Sequence, residues 1–357
     1  VRQQTRLGTL LIAVLCVFAL PAFAQPLRGR VEQRTFNDPT DGHLIRFNIY
    51  LPENYDTTTD RYPVVFHLHG IGGSQGGNQN TVVPRAFETA LAAGTIGPVI
   101  VVFPNGYSDA FWADSVNSDK PAESDVLALI SHVDATFRTI ASPRARVMQG
   151  FSMGGFGATR FYSKFPDRFA CCVEYDGALL TWQSMLVMHA SLAQEIFNNN
   201  QAIYNQYSAW FWTVEHAPLL RAKPPLRMVV GSLVGGNRQF RDHLVATTIP
   251  LDYVETTCGH EVGCLLTAQG QQSAAFIASH LDLSCPTCAT CDSIDFNNDG
   301  SLFDPTDVDA FLSVFSEGLC IPATATCNDV DFNNDTSLFD PRDIDAFLSV
   351  FSEGPCF

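Results

Sequence analysis

The chain has 357 residues, with 21 Lys and Arg against 37 Asp and Glu, and a net charge of −16. That balance excludes a nucleic-acid binder, which needs clustered basic side chains to neutralise phosphates. The charge is uneven: residues 291–357 carry fourteen acidic side chains against Arg342 alone, so a nearly neutral body precedes an acidic tail.

Arg2 and Arg6 precede an apolar run over 7–20, and Ala22-Phe23-Ala24 supplies small residues at a cleavage spacing. This is a secretory signal peptide pattern over 1–24, leaving a secreted chain that starts near Gln25. The apolar run is shorter than the ~20 residues that a membrane span requires, so no span is expected. Eleven cysteines are present, and ten remain once Cys16 leaves with the leader. An even number in an exported chain points to disulfides.

The body, 25–284, alternates strands and helices. Residues 43–51 alternate as a half-buried strand, and 62–69 (YPVVFHLH) and 98–104 (PVIVVFP) are apolar enough for strands buried on both faces. A helix is expected over 81–93 and another over 124–139, with Asp125 in its first turn. A strand over 146–151 then runs into a helix over 153–165. Strands follow at 169–175, 226–231 and 251–255, and helices at 237–246 and 265–280. The fold class is therefore α/β, with a mostly parallel sheet covered on both faces. Residues 178–225, rich in Trp, Met, Phe and Asn, interrupt the alternation as a helical insertion.

The junction at 150–154, GFSMG, is a G-x-S-x-G between strand and helix. A sharp turn there lifts the Ser152 hydroxyl clear of the backbone, and the glycines remove the Cβ atoms that would clash. Together HLHGIGG (67–73), FWADS (111–115), DATFRT (134–139), GFSMGGFGA (150–158) and CGH (258–260) resemble, in their order, the esterase D / feruloyl esterase-like branch of the α/β-hydrolases. The resemblance covers about 28–283 and implies ester hydrolysis by a Ser–His–acid triad with no catalytic cofactor.

Ser152 is the expected nucleophile. A serine hydroxyl needs a histidine to take its proton, and in this fold that histidine follows the last strand. His260 has that position, between Cys258 and Cys264, which could close a small disulfide loop around it. The acid has two candidates. The family usually carries an Asp shortly after the strand that here ends at Gly231, but this chain reads GSLVGGNRQF there, and the next acid is Asp242 within an expected helix. One strand earlier, Asp176 stands at a strand end, and some α/β-hydrolases place the acid there. Asp176 is preferred. The oxyanion hole is expected from the backbone N–H groups of Met153 and Ile71, and Trp112 and 204–212 could line the substrate pocket.

Residues 285–290 form a linker. Cys285, Cys288 and Cys291 have a zinc-like spacing, but no histidine or second cysteine pair lies nearby, and export favours oxidation. The tail then repeats itself, with 291–320 returning as 327–356. D-x-N-x-D-G before a helix is a calcium-loop signature, because hard oxygens at alternating positions wrap one cation. The first set of ligands would be Asp295, Asn297, Asp299 and Asp307, with Asp304 as a further candidate. The second would be Asp331, Asn333, Asp335 and Asp343, with Asp340. Each unit begins and ends in cysteine, so Cys291–Cys320 and Cys327–Cys356 are expected bridges. The paired units resemble dockerin modules, which implies a small all-α calcium-binding domain and a cohesin-like or cell-surface partner. Two departures stand out: the interval from Asp299 to Asp307 is one residue longer than usual, and Thr336 replaces the turn glycine of the second copy.

The expectation is a secreted serine esterase that removes feruloyl or acetyl groups from plant polysaccharide. Two alternatives are a general lipase or polyester hydrolase, and a non-catalytic binding or scaffold protein, suggested by the missing acid after Gly231.

Overall fold

The structure, a computed structural model, describes residues 26–38, 40, 42–283, 296, 305–316 and 341–351. Eight strands form one sheet in the order β1-β2-β4-β3-β5-β6-β7-β8. The strands are β1 Arg30–Asn37, β2 Leu44–Leu51, β3 Val64–Leu68, β4 Ile100–Pro104, β5 Arg146–Phe151, β6 Cys171–Tyr175, β7 Leu226–Val230 and β8 Leu251–Glu255. β1 and β2 are antiparallel, and β3 to β8 are parallel.

Strand alternation sends side chains to two cores. Val64, Phe66 and Leu68 of β3 and Ile100 and Val102 of β4 face one layer. That layer holds α2 Ala122–Thr136, α3 Met153–Lys164, α9 Val234–Ala246 and the insertion. Val65, Val101 and Val147 face the other, built by α1 Gln79–Ala92 and α10 Val262–His280. Burial on both faces explains why the central strands read as continuous apolar runs. The insertion forms five short helices, α4 Trp182–Met188, α5 Ala190–Phe197, α6 Gln201–Gln206, α7 Ala209–Glu215 and α8 Ala217–Arg221.

Two expectations are corrected, and one strand is added. α2 ends at Thr136 rather than 139, because Phe137 is extended and the chain beyond it bonds to Tyr62, with Tyr62 N–H on Arg138 O at 2.9 Å and Ile140 N–H on Tyr62 O at 2.8 Å. β1 escapes a reading based on apolar runs, since its residues are mostly polar and half-exposed at the sheet edge. Trp112 does not line a pocket: it is fully buried, and its indole N–H donates to His69 O at 3.2 Å.

In the tail, α11 Pro305–Phe315 and α12 Pro341–Phe351 correspond to the two DAFLSVF segments. Phe311 and Phe347 stack with ring centroids 4.2 Å apart, and Phe296, Ala310 and Ala346 complete a small core. The two repeats thus bury their apolar faces against each other. The leader 1–24, the linker 285–290, Cys291, Cys320, Cys327, Cys356 and the ligand candidates Asp295, Asn297, Asp299, Asp304, Asp331, Asn333, Asp335 and Asp340 lie outside the described residues. Among the described residues, no helix is long and apolar enough to cross a membrane.

Candidate active site

Ser152 joins β5 to α3 with φ 59° and ψ −118°, a backbone conformation that a non-glycine residue adopts only where its surroundings enforce it. Two glycines make the turn possible. A Cβ on Gly150 would lie 2.1 Å from Gly154 O, and one on Gly154 would lie 1.9 Å from Leu68 O. The first intrahelical bond runs from Phe156 N–H to Ser152 O at 3.1 Å, so the N–H groups of Met153 to Gly155 have no partner within α3.

His260 lies between β8 and α10, its imidazole packed at a tilt against the Phe151 ring, with centroids 4.7 Å apart. Nε2 is 2.8 Å from Ser152 Oγ, and Nδ1 is 2.6 Å from Asp176 Oδ2. An ionised carboxylate can only accept, so Nδ1 carries the proton and Nε2 presents a lone pair to the serine hydroxyl. Cys258 and Cys264 are joined by a disulfide across this loop, with Cα atoms 5.8 Å apart. Cys171 and Cys172 are free thiols buried on β6.

Asp176 follows β6 directly, fully buried and with φ 46°. The segment after Gly231 carries no acid but binds one. Gly231 and Leu233 N–H donate to Asp176 Oδ1, both at 2.9 Å, and Ser232 N–H donates to Oδ2 at 3.1 Å. Three backbone donors fix the rotation of the carboxylate. Asp242 is elsewhere: it lies on α9 with an exposed side chain paired to Arg241.

Ile71 lies on the loop after β3. At Gly70 an added Cβ would be 3.0 Å from Ser152 Cβ, so this loop passes directly over Ser152. The loop is tied down behind by His69, a residue that the sequence reading leaves without a role. Its buried ring lies between Gly70 O, 2.8 Å from Nδ1, and Asn105 O, 2.5 Å from Nε2, and burial pushes its pKa down. Gly72 N–H also donates to Ser108 O at 2.6 Å. The HLHG stretch offers a signal for His69 only in its position, one residue before the expected oxyanion loop.

A second acidic group missed by the sequence reading is Glu174, fully buried on β6 two residues before Asp176. Burial pushes its carboxyl up to about 8. Nothing in CCVEYD distinguishes it, because strand alternation alone does not tell whether a polar side chain meets solvent or a helix.

Residues 40–261 match the Esterase family model, described as "Putative esterase". Esterase Rv1288 of Mycobacterium tuberculosis (strain ATCC 25618 / H37Rv) is 28% identical over 247 residues, covering 60% of this chain and 52% of that protein. The chain thus spans about half the length of the curated relatives it matches. Among solved structures, a ferulic acid esterase superposes with a TM-score of 0.61 at 17% identity, over 72% of this chain and 100% of that one. An S-formylglutathione hydrolase from Agrobacterium tumefaciens does so with a TM-score of 0.60 at 17% identity, over 72% and 98%. At such identity these structures speak for the α/β-hydrolase fold alone.

Proposed function

Because the chain belongs to this esterase family, we propose that it is a serine carboxylic-ester hydrolase. The observation that carries this reading is the unbroken hydrogen-bonded line from Ser152 Oγ through His260 to Asp176, beside the first-turn N–H groups of α3, which have no partner within the helix. Ser152 Oγ attacks the ester carbonyl carbon as its proton passes to His260 Nε2. The C=O pair moves onto oxygen, and the N–H groups of Met153 and Ile71 stabilise that oxyanion. Collapse breaks the bond to the alcohol, which leaves with the proton from His260. Water then repeats the sequence on the acyl-serine and restores the hydroxyl.

The substrate class we propose is feruloyl or acetyl esters of plant polysaccharide. Its support is the sequence resemblance and the dockerin-like tail. Secretion is supported by the 1–24 pattern and by a disulfide of the kind that persists in oxidising compartments. The test is kcat/KM across methyl ferulate, acetylated xylan, long-chain triglyceride and S-formylglutathione. Preference for either of the first two supports the assignment, and preference for triglyceride or the thioester overturns it.

The Cys258–Cys264 disulfide serves this reading by fixing the histidine loop. Replacing both cysteines with serine is expected to lower stability by about 2 kcal/mol, the loop-closure value for so short a ring. It should also lower kcat about tenfold through loosened histidine geometry, with KM little changed. Melting curves and steady-state kinetics on the double variant check both.

We further propose that the tail repeats bind calcium and dock the enzyme to a cohesin-like or cell-surface protein. The donor set fits a hard cation: Asp and Asn oxygens at alternating positions, with Asp307 and Asp343 fully buried in the first turns of α11 and α12. Asp295, Asn297, Asp299 and Asp307 would hold one ion, and Asp331, Asn333, Asp335 and Asp343 the other. Calcium favours the folded loops by mass action. Chelation is therefore expected to lower the tail's calorimetric transition while turnover of a small soluble ester stays within about twofold. A calcium-insensitive transition would reduce the repeats to an acidic spacer.

A further inference from the structure

We propose that Glu174 is a positioning residue, and that its buried carboxyl holds the acid turn and the nucleophile elbow in register only while it keeps its proton. The inference rests on the Ser152–His260–Asp176 reading above. Glu174 Oε2 accepts the Gly177 N–H at 2.6 Å, directly after Asp176. The same oxygen lies 3.3 Å from where a Cβ of Gly155 would stand, so the carboxyl is wedged between β6 and the start of α3. Oε1 is buried with no hydrogen-bond partner among the described residues.

Among the described residues, the surroundings supply no counter-charge. Asp176 faces the carboxyl from the strand end, and the buried Cys172 thiol lies two residues back on β6. Its lateral neighbours are Gly150 on β5 and Met228 on β7. From α9, Asn237 donates to Gly177 O at 2.9 Å. The cations of α3, Arg160 and Lys164, are bound to Glu123. A negative charge here would have one backbone donor and a carboxylate neighbour, and it is relieved only by admitting water between β6 and α3. That opening moves Gly177 and Ala178, and Ala178 N–H is bonded to Ser152 O at 2.9 Å. Ionising Glu174 therefore disturbs the nucleophile and the acid together.

The folded chain keeps this proton up to about pH 8, whereas the unfolded chain releases it near the ordinary 4.5. The contribution is fully present below the lower value and is lost progressively as pH rises to the upper one.

The experiment compares wild type with Glu174→Gln, which keeps an acceptor for Gly177 but cannot ionise. Wild-type kcat on an alkyl ester should fall about tenfold or more between pH 7 and 9.5, as expected for a small misplacement of reacting groups. In the variant it should stay within about twofold, and the gap in melting temperature between the two should widen from pH 4 to pH 8. A 13C-labelled Glu carboxyl resonance should titrate near pH 8 in wild type and vanish in Glu174→Gln or, if that variant does not fold, in Glu174→Met. An equal alkaline loss in both proteins, or titration of that resonance near pH 4.5, overturns the proposal. Loss of activity in Ser152→Ala tests the triad separately, whatever happens at Glu174.

Discussion

Ser152→Ala is expected to lower kcat on any accepted ester by about 10⁴-fold or more, leaving only what binding and the oxyanion donors supply. Among the described residues, the Ser152 hydroxyl is the nucleophile in line with His260 Nε2, and alanine leaves that nitrogen with nothing to deprotonate. The fold should tolerate the change, because the turn is enforced by the glycine contacts at Gly150 and Gly154 rather than by the side chain. His260→Ala should be similarly severe, since triad members act as a unit. Steady-state kinetics beside circular dichroism would separate lost chemistry from lost structure, and near-normal turnover in either variant would contradict the assignment.

The second large effect concerns the acid. Asp176→Asn should lower kcat by about 10³–10⁴-fold with KM little changed, because an amide nitrogen facing His260 favours the wrong tautomer. The three N–H donors from Gly231, Ser232 and Leu233 also face a carboxylate, and an amide cannot accept from all of them while it presents its own donors to the same site. Some loss of stability should accompany the loss of rate. Asp242→Asn, on an exposed helix surface beside Arg241, should change kcat by less than about twofold. The reverse pattern would return the acid to α9.

The position of this acid also shows what the sequence makes legible. The nucleophile and the histidine stand in local contexts that announce them: glycines around Ser152 at a strand–helix junction, and His260 after the last strand. Asp176 is legible only as an acid at a strand end. What completes it, the three backbone donors beyond β7, lies 55 to 57 residues away and involves no side chain that composition could reveal. The absent acid after Gly231, which suggested a non-catalytic protein, is matched by a segment that binds a carboxylate instead of supplying one. The central parallel strands were readable because burial on both faces leaves an apolar run, whereas β1, polar at an edge, left none. Trp112 misleads for a similar reason: an aromatic near a site looks like a pocket wall until packing buries it against His69.

The most direct test of the central claim is covalent labelling. A fluorophosphonate reacts with a serine hydroxyl only when a base removes its proton and donors stabilise the oxygen that gains charge. Intact-mass and peptide mass spectrometry should find a single adduct, on Ser152. Labelling should be abolished in Ser152→Ala, slowed by about 10³-fold in Asp176→Asn, and unaffected in Asp242→Asn. An adduct on another residue, or a Ser152 that stays unlabelled while ester turnover persists, would contradict the account.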